Sequence, residues 1–386
     1  MSPDPKRVKM IKKTALHDAH KKLGAKMGEF ALYDMPLYYD LGVMKEHVWT
    51  RSKVGLFDVS HMGQVSVKGA DGKTDAVEFF ERITPSSFSK QKINRTKYTV
   101  LTNEQGGIID DLMVTRTGEN EFHCVINAGC KDKDIDWIKG QLTDGLEFTY
   151  YDDWALIALQ GQSAESVIKE TLDIDLADLP YMGLWAQDDY KLFISRLGYT
   201  GEDGFELSMP NDDAERIWNA LLSHDEVQPV GLAARDSLRL EMGYCLYGHD
   251  IDATTSPLEA DLGWVMGKGA NTGFIGADVV LKQKEEGLTR KRVGVKLLDK
   301  GVAREGADVQ LEDGTKIGEL CSGGFSPTLG YAVGQAYLPI EYCEAGQDLL
   351  VNVRGRTIKA IVAKMPFLAP KTKSMQKVTA GEKKYG

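Results

Sequence analysis

From about Arg292 the chain changes texture. Short stretches of alternating apolar and polar residues follow one another at 293–297, 308–311, 316–321, 332–337, 349–353 and 357–362, separated by turns rich in Gly and Asp. Alternation of period two places every second side chain on one face of a strand, and no helical period interrupts it. Such strands can bury their apolar faces only against one another, so this region is predicted to be a small all-β domain, a sandwich or barrel. The linker before it is expected near 282–290, a charged stretch with a single glycine.

Upstream, strands and helices alternate. Residues 64–68 read as a half-buried strand, followed by a turn at 69–73. Residues 75–83 carry helical spacing at Ala76, Phe79, Phe80 and Ile83. A buried strand at 154–159 leads to a helix with Val167, Ile168 and Leu172, for which Ser163 is the expected cap. Strands at 192–197 and 205–209 lead to a helix with Ile217, Leu221 and Leu222, for which Asn211 is the expected cap. β-α-β order with short connections recurs in both halves of 55–225, which predicts two related α+β units rather than one long parallel sheet. The expected class is therefore α+β, with 10–285 as the two-unit region, 286–370 as the β domain, and 1–9 and 371–386 as flexible tails.

Within the first region, Gly106-Gly107-Ile108-Ile109-Asp110-Asp111 sits between apolar runs at 98–101 and 112–114. This reads as strand, turn and strand, and two carboxylates there are costly unless each has a partner. Neighbouring side chains of a strand point to opposite faces, so Asp110 and Asp111 cannot share one environment. Asp110 is expected to hold the turn and Asp111 to project from the other face. An Asp pair that only caps a turn is the alternative.

Two further clusters keep company with it. Three glycines, Gly198, Gly201 and Gly204, fall within seven residues, and let the backbone turn sharply and approach a flat ligand. Tyr199 offers a ring face and a hydroxyl. Glu206, on the strand that follows, could accept two parallel N–H bonds from a guanidine-like edge such as that of a pterin. Glu202 and Asp203 read as ordinary loop carboxylates. The segment 231–243 reads as a packed helix ended by Gly243, with Arg235 and Arg239 four apart on one face. Arginines so placed are more often in ion pairs, here with Asp236 or Glu241, yet Arg235 also suits a carboxylate ligand or the carboxylate of Glu206.

Composition removes several classes of function. A net charge of −10 argues against a duplex nucleic-acid binder. No apolar run approaches membrane-spanning length. The five cysteines, Cys124, Cys130, Cys245, Cys321 and Cys343, are scattered and form no C-x-x-C pair, so no disulfide framework or zinc ribbon is indicated. A reducing compartment is expected, the cytoplasm of a bacterium or the matrix of a mitochondrion. The basic, polar segment 1–13 is not a secretory signal and is too poor in Ser and Arg for a transit peptide. His17 and His20 read as the face of an exposed helix, and Gly267-Lys268-Gly269 lacks the remainder of either nucleotide-binding glycine motif.

Taken in order, Ser60-His61-Met62-Gly63, the run 102–111, Asn127-Ala128-Gly129, Leu159-Gln160-Gly161, the run 198–204, the run 234–241 and Met365-Pro366-Phe367 form one pattern. From about Thr14 to Phe367 the chain closely resembles the T-protein of the glycine cleavage system, the aminomethyltransferase family. The resemblance implies a three-domain cloverleaf around a central site for tetrahydrofolate, with no metal. It implies transfer of a methylene carbon from an aminomethyl group on the lipoyl arm of H-protein to tetrahydrofolate, releasing ammonia and giving 5,10-methylenetetrahydrofolate. By motif, the essential acid falls on Asp111. The pterin-reading carboxylate falls on Glu206, with Tyr199, Arg235, Trp264, Asn127 and Met62 around the folate. Where some relatives carry a tyrosine after Met-Pro-Phe, this chain has Pro370 and Lys371.

Two rival functions share this pattern. One is a folate-dependent demethylase of a small methylated substrate, against which the Asp110-Asp111 pair and the 201–204 loop weigh. The other is a folate-binding assembly factor for iron–sulfur proteins, not an enzyme. Those relatives carry a Lys-Gly-Cys-Tyr type motif, whereas this chain reads Gly243-Tyr244-Cys245-Leu246-Tyr247-Gly248.

Overall fold

The structure, a computed structural model, describes residues 11–70, 75–187, 191–267 and 271–373. Residues 71–73 of the expected turn, the segment Lys268-Gly269 and most of both expected tails lie outside these residues. Residues 371–373 do not leave the fold: the Lys371 amide donates to the Gly201 carbonyl at 2.7 Å, and Thr372 is buried.

The C-terminal part forms as the alternation predicts. Strands Arg290–Leu297, Ala332–Pro339, Lys316–Phe325, Asp308–Gln310, Asp348–Val353 and Arg356–Ala363 close into a barrel in that order. Val295, Leu297, Leu320, Ala336, Leu338, Val351 and Ala360 fill its interior. Closure removes both sheet edges, which short strands could not otherwise protect. The expected linker is instead mostly helix, Ala277–Glu286, and the chain passes to the barrel within three residues.

The two α+β units also form, each as a sheet covered by two helices. The first sheet has five strands, ordered Arg95–Thr102, Ile108–Gly118, Glu121–Ile126, Gly63–Gly69 and Leu146–Tyr150. Helices Ala76–Ile83 and Lys131–Gly140 pack on one face through Phe79, Phe80, Ile83, Ile135 and Ile138. The second has six, ordered Leu184–Ala186, Phe193–Ser195, Gly204–Pro210, Trp154–Gly161, Val54–Asp58 and Val227–Pro229, under helices Ala164–Leu172 and Asn211–Leu222. The chain crosses between them: Val54–Asp58 belongs to the second sheet and Gly63–Gly69 to the first.

Several local expectations change. Asp75 caps its helix, accepting from the Val77 amide at 2.7 Å. Ser163 stands at the cap position without a side-chain bond, and Asn211 is the first helical residue, after Pro210. His17 and His20 are buried, not exposed: His20 Nε2 lies 2.9 Å from Asp58 Oδ2, and His20 Nδ1 lies 2.9 Å from the Tyr39 hydroxyl. Partners that rescue a buried polar side chain here lie many residues away, so local polarity reads as exposure.

The helix Leu232–Glu241 joins all three parts. Arg51, from helix Val43–Ser52, reaches Glu241 Oε2 at 2.7 Å and Glu202 Oε1 at 3.0 Å. From the barrel, Thr328 donates its hydroxyl to Glu241 at 2.9 Å and Ser326 donates a second. Arg239 binds Asp250 at 2.7 Å and Ser322 of the barrel at 3.0 Å. Burial by itself would raise the Glu241 carboxyl, but bonds from His47 and Ser326 and the Arg51 charge outweigh it and hold the pKa at about 2. A carboxylate held below its unfolded value stabilises the fold above that value and loses the effect as pH falls toward 2. Glu241→Gln is therefore expected to cost about 3–5 kcal/mol near neutrality, because Arg51 is left buried with half its charge unanswered. The difference from wild type should shrink in acid, as urea titrations at a series of pH values would measure.

Candidate active site

The turn before the acid pair is built by Asn103, not by Asp110. Asn103 Oδ1 accepts from the Gln105 and Gly107 amides at 3.0 and 2.9 Å, while its Nδ2 donates to Ala253 O at 3.0 Å. Gly106 has φ +76°, and a Cβ on Gly107 would meet the Ala253 oxygen at 1.9 Å, so both positions require glycine. The register then slips between Leu101 and Thr102, which leaves Ile109 without a partner of its own. Asp110 pairs across to Leu101, on the face covered by helix Lys131–Gly140. Asp111 pairs to Val100, on the face of Tyr98.

The two carboxyls thus occupy opposite faces, as strand alternation requires, but one side chain ties them together. Asn127 Nδ2 donates to Asp111 Oδ1 at 2.7 Å, to Asp111 O at 3.0 Å and to Asp110 Oδ1 at 3.0 Å. Asp110 is fully buried and Asp111 partly so. Burial above all pushes the Asp111 carboxyl up to about 7, against the opposing pull of Tyr98 and Asn127. Tyr98 in turn stacks on Trp264, ring centroids 5.6 Å apart at 24°, and Trp264 is 63% exposed. Tyr98 was not singled out from the sequence. Its signal was parity, since it lies two residues from Val100 on a strand and shares a face with Asp111.

The glycine cluster has a different purpose from the expected one. A Cβ on Gly198 would strike the Gln160 side chain at 1.9 Å, on Gly201 the Met242 sulfur at 2.0 Å, and on Gly204 the Leu159 carbonyl at 2.5 Å. These glycines allow protein to approach protein. Glu202 and Asp203 are likewise buried ion-pair partners, of Arg51 and Arg196, not ordinary loop carboxylates. What the loop presents is Tyr199, whose ring stacks on Tyr244 with centroids 5.7 Å apart and whose hydroxyl donates to Cys245 O.

The arginine stripe divides in two. Arg239 is the structural ion pair. Arg235 is not: its guanidinium lies 4.8 Å from the centre of the Tyr199 ring, and Nη1 is buried with no hydrogen-bond partner among the described residues. Glu206, on Gly204–Pro210, is buried and likewise accepts no hydrogen bond among the described residues. Burial raises Glu206 while Arg235 lowers it, and burial lowers Arg235 while Glu206 and Tyr199 raise it. The two charges therefore sense one another. Met62 packs with Phe57, Val230, Ala234 and Leu238 beneath this helix.

Buried charges that lack partners are costly. An acid at Glu206 and donors at Arg235, beside a ring face at Tyr199 and an exposed indole at Trp264, match a flat ligand carrying both donors and an anionic group. Burial drives the Cys245 thiol up to about 12, so at neutral pH it is held as the neutral thiol. A cleft of about 800 Å³ lined by Arg82, Asn103, Gln105, Trp137 and Asp278 lies beside the Asn103 turn and includes none of these residues.

Known proteins match along nearly the whole chain. The family model for the GCVT N-terminal domain matches residues 16–269, and that for the glycine cleavage T-protein C-terminal barrel domain matches 290–368. An aminomethyltransferase of Bacteroides thetaiotaomicron is 41% identical over 365 residues, covering 92% of this chain and 99% of its own. One from Clostridium botulinum (strain Okra) is 41% identical over 372 residues, covering 94% and 99%. The crystal structure of glycine cleavage system aminomethyltransferase T from Bartonella henselae superposes with a TM-score of 0.89 at 38% identity, covering 94% of this chain and 99% of that one. On this evidence the chain belongs to the aminomethyltransferase, or glycine cleavage T-protein, family.

Proposed function

We propose that this protein takes the aminomethyl group from the lipoyl arm of H-protein and passes its methylene carbon to tetrahydrofolate, with release of ammonia. The observation that carries the reading is Arg235 Nη1, buried with no hydrogen-bond partner among the described residues, facing the largely buried Glu206, whose charge it senses. Glu206 would accept from the guanidine-like edge of the pterin, and Arg235 and Tyr199 would hold the ring system. Asn127 and Met62 would complete the pocket wall, and Trp264 its rim. Tetrahydrofolate supplies the nucleophilic nitrogen that receives the carbon.

The chain's own part in the chemistry centres on Asp111. A carboxyl poised near 7 exists in both forms at neutral pH, which suits it to accept a proton at Oδ2 and return it to a departing amine. Its ionised form also stabilises cationic character on a carbon passing between sulfur and nitrogen. Asn127 holds Oδ1 and the Tyr98 hydroxyl bonds the same carboxyl, so the group is fixed in orientation for the reaction.

Two outcomes test the assignment. Glu206→Gln keeps the shape and removes the charge. Charge-assisted bonds contribute about 1.5–3 kcal/mol, so tetrahydrofolate affinity should fall by about one to two orders of magnitude in a folded protein. Calorimetry showing unchanged binding would take Glu206 out of the site.

The wild type is expected to lose activity below pH of about 7, and Asp111→Asn should lower turnover by about 10²–10³ and abolish that acid limb. The same substitution should raise the melting temperature at neutral pH. A carboxyl whose folded pKa lies above its unfolded value costs stability as pH rises through that interval, and the amide removes that cost. Near-normal turnover in Asp111→Asn would contradict the assignment.

A further inference from the structure

Behind Asp111, on the covered face of the strand, Asp110 meets a second buried acid. Asp134, on helix Lys131–Gly140, is fully buried, and its carboxyl lies within hydrogen-bonding reach of that of Asp110. Asp110 Oδ2 and both oxygens of Asp134 accept from no N–H or O–H among the described residues. Lys133 stands 3.6 Å from Asp134 Oδ1, too far for a hydrogen bond, and donates instead to the Ile109 carbonyl. Two carboxylates cannot hydrogen-bond each other. With one proton between them, one carboxyl donates and the other accepts, and Asp110 Oδ2 and one oxygen of Asp134 are answered.

We propose that Asp110 and Asp134 share one proton, Asp110 as the acid and Asp134 as the carboxylate, and that this keeps the position beside Asp111 uncharged. Asp110 is then a positioning residue, acting through Asp111. The groups that face it are few: Asp111 on its own strand, Cys130, Lys133 and Asp134 on the covering helix, and Tyr247 from the segment after Leu232–Glu241. Of these, Lys133 is paired with Asp134 and sits 4.2 Å from the centre of the Tyr247 ring, which places the cation on the Asp134 side of the pair. Burial and then Asp134 drive the Asp110 carboxyl well above the usual range, while Asp134 rises only to about 6, helped down by its bond to Asp110 and by Lys133. Asp110 Oδ1 meanwhile accepts from the Asn127 amide that also holds Asp111. A charge on Asp110 would push the proton back onto Asp111, so the proton parked in the pair leaves Asp111 free to ionise.

The inference rests on Asp111 acting as proposed above, and two measurements separate the claims. Asp134→Asn replaces the acceptor with an amide donor, so Asp110 loses its reason to hold a proton and ionises. The acid limb of kcat/KM should then move up by about one to two pH units, as expected for a unit charge one bridging amide away at an effective dielectric constant of about 20. Adding Asp110→Asn removes that charge and should bring the limb back to or below its wild-type position. A purely structural pair predicts the opposite, with the double variant no better than the single one. An unmoved limb in Asp134→Asn, or a double variant shifted like the single, would overturn the proposal.

Infrared difference spectra supply the arm that does not depend on activity or on Asp134→Asn folding. In an Asp111→Asn background, the carbonyl band of a protonated carboxyl should persist above neutral pH and vanish when Asp110→Asn is added. If adding Asp110→Asn removes no such band, the proton is not there. Were Asp111→Asn fully active with the band present, the role of Asp111 would fail and the shared proton would stand.

Discussion

The helix Leu232–Glu241 buries Arg239 and Glu241 almost completely and holds Arg235 beneath Tyr199. Charged groups taken out of water must be answered, and on this helix the answers come from every part of the molecule. Glu241 draws Arg51 from the helix before the second sheet and Thr328 and Ser326 from the barrel. Arg239 draws Asp250 and Ser322. The barrel adds a reciprocal tie, with Arg292 donating to the Ala260 and Gly243 carbonyls at 2.8 and 2.9 Å. Directional bonds of this kind specify how three separately packed cores meet, which apolar contact alone would leave loose. Arg235 is the exception on the same helix: its Nη1 is buried without a hydrogen-bond partner among the described residues, and this is the group proposed to meet the ligand.

That preparation has an energetic signature. Asp111, Glu206 and Asp110 are all held above the ordinary carboxylate range, chiefly by burial. Groups poised in this way lower the stability of the empty protein at neutral pH and make it available to a ligand that carries the missing partners. The structure separates these acids from Glu241 and Asp58, which are equally buried yet held at about 2 by charged or hydroxyl partners. Burial is common to both sets, and completeness of pairing distinguishes the residues proposed for the site from those that hold the fold.

Much of this was legible in the residues alone, for physical reasons. Period-two alternation in six short segments could resolve only by closure, and the barrel follows. Apolar spacing at Ala76, Phe79, Phe80 and Ile83 sufficed for a helix whose core face holds those residues together with Val77. Strand parity correctly sent Asp110 and Asp111 to different faces. Parity could not show that Asn127 would tie both, or that Asp134 would cover one, because those contacts join residues 16 to 24 positions apart through tertiary packing. Local polarity misled for the same reason at His17, His20, Glu202 and Asp203, whose partners lie on other elements. The glycines at 198, 201 and 204 were recognised as necessary but for the wrong neighbour, since what crowds them is protein.

The account turns on which carbon moves and what it leaves behind. H-protein loaded with an isotopically labelled aminomethyl group, mixed with this protein and tetrahydrofolate, measures both at once. Aminomethyl transfer predicts that ammonia is released in step with the appearance of label in methylenetetrahydrofolate. Release that does not depend on tetrahydrofolate, or label that stays on H-protein while a small methylated substrate is demethylated instead, would contradict it.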